Sequence, residues 1–263
     1  EMDMSDPVQK ATVQYAYRLA DYFEEQLQPT IEGDQLVFDA NYGISSAPIL
    51  TALLLPAVQQ ARSAARRVDS MNRLRNLMLA MHNHYDSYKH LPGNIYDDDG
   101  KPLLSWRVQI LPFTEEYALY EQFKLDEPWD SEHNIQLVEL MPEFLQSPDV
   151  DLEPGKTIYL AVSGDKMTFG KPGRVRLETI MDGTSRTIGL VESNPEAAVI
   201  WTKPDDYEVD LNDPLKALGC IRPSGFNAAF LDGSVRLISP DIDLETLLML
   251  FMPDDGGVPM LDR

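Results

Sequence analysis

The residues that decide the fold are 58–88, VQQARSAARRVDSMNRLRNLMLAMHNHYDSY. Apolar side chains recur here every three to four residues, which is the period of one face of an α-helix. Followed to its borders, the pattern predicts a helical spine over about 47–90, much longer than an average globular helix. A helix of this length predicts that other parts of the domain pack along it. The apolar stripe consists of Val58, Ala61, Ala65, Val68, Met71, Leu74, Met78, Met81, Tyr85 and Tyr88.

Arginines mark the other side of this helix, in a chain whose formal net charge is −21. We expect this basic side to bind either an acidic neighbouring subunit or the acidic N-terminal segment of the same chain. The alternative is that the guanidinium groups pair within the domain or form a solvated face. The arginines expected to interact are Arg62, Arg66, Arg67 and Arg73, and Arg75 lies beside them.

Residues 1–43 differ from the rest of the chain. Their periodicity predicts a helix over about 6–27, followed by a small hairpin over 30–38. Residues 44–263 are then the main domain. We expect the helix-hairpin either to cap this main domain or to be the end of an upstream domain.

The β-rich part of the main domain extends over about 155–240. Its clearest hairpin turns at Asp232 and Gly233, because glycine accepts the positive φ of a tight turn. The fold class predicted is α+β, with a long N-terminal helix packed on an antiparallel β-sheet. Strands are predicted at 157–162, 174–177, 185–192, 198–202, 226–230 and 234–238. Helices are predicted at 105–123, with a break at Pro112, and at 134–145 and 244–251.

Composition excludes several classes of function. With 43 acidic and 22 basic residues, the chain does not offer the basic face that nucleic acid requires. The uncharged segment 40–61 is long enough to span a bilayer, but polar residues and Pro56 interrupt it, so no transmembrane span is predicted. A single cysteine, Cys220, rules out an internal disulfide. No complete catalytic or nucleotide-binding motif is found, so we expect a protein that is not an enzyme.

Several strings together resemble one family. LLLPAVQQARSAARR (53–67), LMLAMHNHYDSYKHLPG (77–93), SWRVQILPFTEEYALYEQFKLDEPWDSEHN (105–134) and GFNAAFLDGSVRLIS (225–239) are similar, in this order, to a paralogous family best known from planctomycetes, domain of unknown function 1559. Many of its members resemble type IV prepilins. The resemblance therefore implies a pilin-like fold and an extracytoplasmic location, in the periplasm or at the cell surface.

The sequence departs from this family pattern at three points. The prepilin cleavage signal that the resemblance implies is not found in these residues. The family's C-terminal His, followed after nine residues by Asp-Gly, is replaced here by Arg222 ahead of Asp232. Two cysteines common in the family fall on Ser70 and Gln146, and their joint absence is expected if they pair with each other elsewhere in the family.

Two acidic loops are candidate sites. Asp97, Asp98 and Asp99 precede Gly100 and offer the hard oxygen ligands that Ca²⁺ prefers, although the spacing differs from an EF-hand and a solvated loop is the alternative. Trp129 lies in a polar loop over 126–133 with four carboxylates around it. Acids beside an aromatic ring suggest a glycan cleft, and the alternative is a structural loop that Trp129 anchors to the core.

The leading hypothesis is a non-enzymatic, extracytoplasmic structural or interaction domain that binds a protein partner or associates with itself. A soluble ligand- or calcium-binding module that has lost pilus-type assembly is the second hypothesis. A hydrolase that uses carboxylates near Trp129 is the third.

Overall fold

A computed structural model describes residues 18, 30–32, 35–37, 46–170, 175–254 and 256 of the 263-residue chain. By spatial proximity the chain divides into two compact units, 1–65 and 66–263. In the first unit, β1 (Thr30–Glu32) pairs with the antiparallel β2 (Gln35–Val37), which confirms the predicted hairpin. The helix predicted over 6–27 lies outside the described residues, except for the helical Arg18.

The predicted spine is confirmed as α1 (Ser46–Tyr88), a helix of 43 residues. In the second unit its inner face is fully buried at Leu74, Leu77, Met78 and Met81. No helix in the described part of the chain combines the length and the hydropathy that crossing a membrane demands.

The prediction of one continuous apolar stripe on α1 was wrong. Val58, Val68 and Tyr88 are 43%, 52% and 61% exposed. From Ala65 to Leu74 the predicted stripe takes three consecutive steps of three residues, and each such step turns about 60° backward around the helix. Three steps therefore carry the pattern from the solvent side to the buried side.

Short elements follow α1, and the two segments predicted to be helical here consist of short helices. The segment 105–123 is helical and interrupted near Pro112, as predicted, and a second interruption before Tyr117 divides it into three short helices. The segment 134–145 adopts 3₁₀ geometry. The elements up to the sheet are β3 (Ile95–Tyr96), β4 (Pro102–Leu104), α2 (Trp106–Gln109), a 3₁₀ helix Leu111–Phe113, α3 (Tyr117–Tyr120), and 3₁₀ helices Asn134–Leu140 and Glu143–Leu145.

A five-stranded sheet forms the centre of the second unit, in the order β11-β10-β7-β6-β9. Neighbouring strands are antiparallel except for β6 and β9. The strand predicted at 174–177 was wrong, since Leu177–Thr179 is a 3₁₀ helix and Arg174 lies outside the described residues. The remaining elements are β5 (Lys156–Thr157), β6 (Tyr159–Ser163), β7 (Ile188–Glu192), β8 (Val199–Ile200), β9 (Tyr207–Glu208), β10 (Phe226–Phe230), β11 (Val235–Ile238) and α4 (Leu244–Phe251).

The sheet has a helix on each face. Successive strand residues point to opposite sides, so each strand contributes to the packing against both helices. Ala161 and Leu190 pack with the inner face of α1 in one core cluster. Leu160 and Val191 pack with α4 in the other, through residues such as Leu247. The fold is α+β with a long N-terminal helix and a mainly antiparallel sheet, consistent with the pilin-like class that the resemblance implies.

Candidate functional site

Arg222 lies in a buried ionic cluster on the α1 side of the sheet. It forms a bidentate pair with Glu192, from Nη1 to Oε2 at 2.6 Å and from Nη2 to Oε1 at 3.0 Å. Its Nη2 also donates to Asp149 Oδ2. Burial by itself would lower the pKa of Arg222, but the hydrogen bonds and charges of Glu192 and Asp149 outweigh it and raise that pKa. The guanidinium is therefore held inside the domain as a cation.

Three neutral side chains complete this cluster. Ser70 Oγ, on α1, donates to Glu192 Oε1 at 2.6 Å. The Tyr159 hydroxyl donates to Ser70 Oγ at 3.1 Å, and Asn227 Nδ2 donates to Glu192 Oε2 at 2.9 Å. Burial, then the charge of Glu192, raises the pKa of Tyr159, so its phenol stays protonated. One carboxylate thus joins the helix, the sheet and Arg222.

Strand register explains how these groups meet. Tyr159 lies directly opposite Glu192 across β6 and β7. Val191 lies opposite Ala228 across β7 and β10, which places Asn227 beside Glu192 on the same face. The cluster is therefore a row across three strands, closed by a hydroxyl from the buried face of α1.

The two positions at which the resemblance implies cysteines, Ser70 and Gln146, lie in neighbouring segments. Ser70 belongs to the cluster. Arg73, about one turn later on α1, donates from Nη1 to the Gln146 carbonyl at 3.0 Å and to the Glu143 carbonyl. Here hydrogen bonds hold the two segments together. Cys220 is an exposed free thiol elsewhere in the chain.

A second buried ion pair, between Arg107 and Asp206, was not predicted from the sequence. Arg107 Nη2 lies 2.8 Å from Asp206 Oδ1, and both side chains are nearly inaccessible. Arg107 also donates from Nε and Nη2 to the Tyr159 carbonyl, and Nη1 donates to Ser105 Oγ. Asp206 Oδ1 accepts from the Trp106 indole at 3.0 Å as well. The partners are about 100 residues apart, so no local spacing could have indicated the pair.

Trp129 anchors its loop to the core. Its backbone N–H donates to the Leu103 carbonyl at 2.8 Å, and its half-buried ring packs against the main core cluster. Inside the loop, Glu127 pairs with Lys124 at 2.8 Å. The hydrogen bond from Lys124 lowers the pKa of Glu127, whereas a general acid requires a raised one. The geometry favours the structural interpretation of this loop.

The Asp97–Gly100 segment is a turn held by its own carboxylate. Asp97 Oδ1 accepts from the backbone N–H groups of Asp99 and Lys101 at 3.1 and 2.7 Å. Asp98 and Asp99 are exposed. Among the described residues, no group of three or more His, Cys, Asp or Glu side chains is placed to hold a metal ion. The calcium hypothesis for Asp97, Asp98 and Asp99 stays a prediction.

Asp232 and Gly233 form the hairpin turn between β10 and β11, as predicted. Asp232 Oδ1 accepts from the Ser234 N–H at 2.8 Å, and Gly233 has φ +88°. The structure therefore gives both residues a turn-forming role.

The arginines of α1 fall into two groups. Arg73 pairs with Asp69 and Glu143, each at 3.2 Å, in addition to its carbonyl bonds. Arg66, half-exposed, lies 3.8 Å from Asp149. Arg62 and Arg67 form no ion pair within the part of the chain that the structure describes, so the interaction hypothesis rests mainly on them.

The solvent face of α1 is an exposed feature that the sequence analysis missed. Leu79 is 57% exposed there, in line with the exposed Val68. Beside Leu79 lies a groove of about 600 Å³, between α1 and the segments that carry Glu116 and Phe144. The sequence alone could not identify this face, because the burial of Leu74 and Met81 is set by the packing of the sheet against α1.

The fold and these contacts define an α+β domain in which the buried charged side chains pair with one another. Residues 59–151 match the model of a family described as a protein of unknown function (DUF1559). The match covers just over a third of the chain, including much of α1, and confirms the family resemblance over this segment. No curated protein and no solved structure matches the chain.

Proposed function

We propose that this protein is a non-enzymatic structural or interaction domain that works outside the cytoplasm. The observation that carries the proposal is the exposure of Val68 and Leu79 on the solvent face of α1. The two side chains lie on one face of the helix, eleven residues apart, and exposed apolar surface with a polar rim is where proteins bind partners.

The polar residues that suggested chemistry support the same proposal. Arg222 and Glu192 neutralise each other in a buried pair, and Glu127 pairs with Lys124. A catalytic site needs a nucleophile or a proton donor within reach of substrate. These groups instead use their hydrogen-bonding capacity inside the domain.

The extracytoplasmic location rests on the family resemblance. The test is the mature N-terminus of the native protein, sequenced from separated membrane, secreted and cytosolic fractions. We expect a processed start in a membrane or surface fraction. An unprocessed protein found only in the cytosol would overturn the location.

The interaction role has its own test. The native protein, with a photoreactive amino acid in place of Leu79, should cross-link to protein on illumination of intact cells. The matched control carries the same amino acid at Met181, which is 71% exposed and is not part of α1. Cross-linking no stronger from position 79 than from position 181 would contradict the interaction role.

A further inference from the structure

The edge strand β9 lies in an acidic segment of the chain. Residues 205–213, DDYEVDLND, contain five carboxylates and no basic residue. In the described part of the chain β9 is the end strand of the five-stranded sheet, and its partner is β6. A groove of about 460 Å³ lies against β9. An open edge of the sheet and a groove therefore coincide at this strand.

The backbone of Glu208 points outward from the sheet. The Val209 N–H donates to the Ser163 carbonyl of β6 at 3.0 Å. Because consecutive residues of a strand direct their peptide groups to opposite sides, the N–H and the C=O of Glu208 face away from β6. Neither group bonds to a neighbouring segment among the described residues. An added strand pairs with unpaired peptide groups of this kind.

Asp206 places a free acceptor in the same groove. Its side chain is 4% exposed, and its Oδ1 accepts from Trp106, from Arg107 and from the Ala161 N–H. Its Oδ2 accepts no hydrogen bond from any described residue, although Asp206 lines the groove. A carboxylate accepts through both oxygens, so this nearly buried acid keeps the capacity to bind one more donor.

The charges of the groove decide which strand can add to this edge. The carboxylates that line it belong to Asp206, Glu208 and Asp210, at every second position, the spacing of one face of an extended segment. Lys216 also lines it and lies 3.9 Å from Asp210, which leaves Glu208 without an ion pair within the described residues. The β9 edge of a second copy would bring like charges together, which is unfavourable. A segment with lysine or arginine at alternate positions is complementary in charge.

We propose that the β9 edge binds an extended basic segment of another protein as an added strand. The backbone of that segment pairs with the N–H and the C=O of Glu208. One of its basic side chains donates to Asp206 Oδ2, and the next ones lie beside Glu208 and Asp210. This surface contains no residue of α1, so the inference does not depend on the exposure of Val68 and Leu79.

The first experiment measures fluorescence anisotropy of a labelled octapeptide of alternating lysine and valine, added to the full chain at physiological ionic strength. An octapeptide with glutamine in place of lysine should bind about tenfold more weakly. The double variant Glu208→Gln/Asp210→Asn should weaken binding of the lysine peptide about fivefold. The matched control, Asp98→Asn/Glu121→Gln, removes the same charge at exposed residues outside the groove and should have little effect. Circular dichroism shows whether both variants remain folded.

Equal effects of the two double variants would show that only the overall negative charge attracts the peptide, and would overturn the site. A wild-type chain that does not bind the lysine peptide would also overturn it. The carboxylates would then serve only to keep this edge from pairing with other strands.

The second experiment tests the added strand. Two further lysine peptides carry N-methyl groups, one on the lysine amides and the other on the valine amides. Only one of these sets faces β9 in an added strand, so the two peptides should differ about tenfold in affinity. Equal affinities would overturn the backbone pairing.

Amide hydrogen exchange then locates the bound peptide. Exchange at Glu208 should slow when the lysine peptide binds, whereas exchange in β11, at the other edge of the sheet, should not change. Slowing in β11 without slowing at Glu208 would overturn the proposal.

Discussion

Tyr159 and Glu192 lie directly opposite each other on neighbouring antiparallel strands, and both hydrogen-bond to Ser70 of α1. The same tyrosine accepts two hydrogen bonds from Arg107 through its carbonyl. A single sheet residue thus connects the two buried ion pairs. The long helix is held on the sheet by polar bonds as well as by apolar packing.

Removal of the Glu192 charge should destabilise the fold strongly. In Glu192→Gln, Arg222 keeps only Asp149 as a carboxylate partner, and losing one member of a buried ion pair costs about 3–5 kcal/mol. We expect the free energy of unfolding, measured with urea, to decrease by an amount within or just below this range. Glu196→Gln is the control, because Glu196 is exposed and should change stability by less than about 0.5 kcal/mol. Equal effects of the two changes would contradict the buried pair.

Asp206→Asn should destabilise the domain far more than the same change at its neighbour. Asp206 is the carboxylate partner of the fully buried Arg107, so the expected loss is again about 3–5 kcal/mol. Asp205 pairs with Lys203 at the surface, where a pair is worth about 0–1 kcal/mol. Thermal unfolding of Asp205→Asn and Asp206→Asn, measured side by side, checks the contrast.

Stability should decrease in mild acid because of His84. Burial lowers the pKa of His84 below its ordinary value of about 6.5. The folded state therefore binds fewer protons at this site than the unfolded state, and stability falls as the pH decreases from about 6.5 through the lowered pKa. The Nδ1 of the neutral ring lies 3.0 Å from the His90 carbonyl.

The measurement compares urea unfolding at neutral pH and in mild acid for wild type and His84→Gln. The variant should lose part of the pH dependence. A variant with the same pH dependence as wild type would show that other groups cause it. His133→Gln, at an exposed histidine, is the matched control.

Two glycine substitutions should differ sharply. A Cβ on Gly225 would lie 1.8 Å from the Ile238 carbonyl oxygen, and φ is +117°. Gly100 has φ +79° with open space around it, so Gly100→Ala meets only backbone strain of about 1–2 kcal/mol. Gly225→Ala should cost clearly more, since backbone must also move. Melting temperatures of the two variants test the order, and a smaller loss for Gly225→Ala would contradict the packing of β10 on β11.

Local patterns made some elements predictable. The Asp232-Gly233 turn follows from the φ that glycine accepts. The helix Leu244–Phe251 begins where Asp243 accepts from the Thr246 N–H at 2.8 Å, and aspartate is one of the residues that favour this capping position. Each of these features depends on residues within a few positions of one another.

Local spacing did not predict which side of α1 is buried. Periodicity established that a long helix exists, and the helix is there. Runs of three- and four-residue steps allow more than one stripe to be drawn, however, and the predicted stripe crossed from the exposed Val68 to the buried Leu74. Only the packing of the sheet against one side decides which stripe is inner.

By itself, the sequence determined the fold class, the long helix, the hairpin at Asp232 and Gly233 and the family resemblance. These features depend on the spacing of nearby residues and on short stretches of sequence. The tertiary structure alone decided that Arg107 contacts Asp206, that Arg222 contacts Glu192, and that Val68 and Leu79 face solvent. Charged residues far apart in the chain come into contact only because strand register and helix packing place them together. For that reason the two buried ion pairs and the exposed face of α1 became visible only in the folded chain.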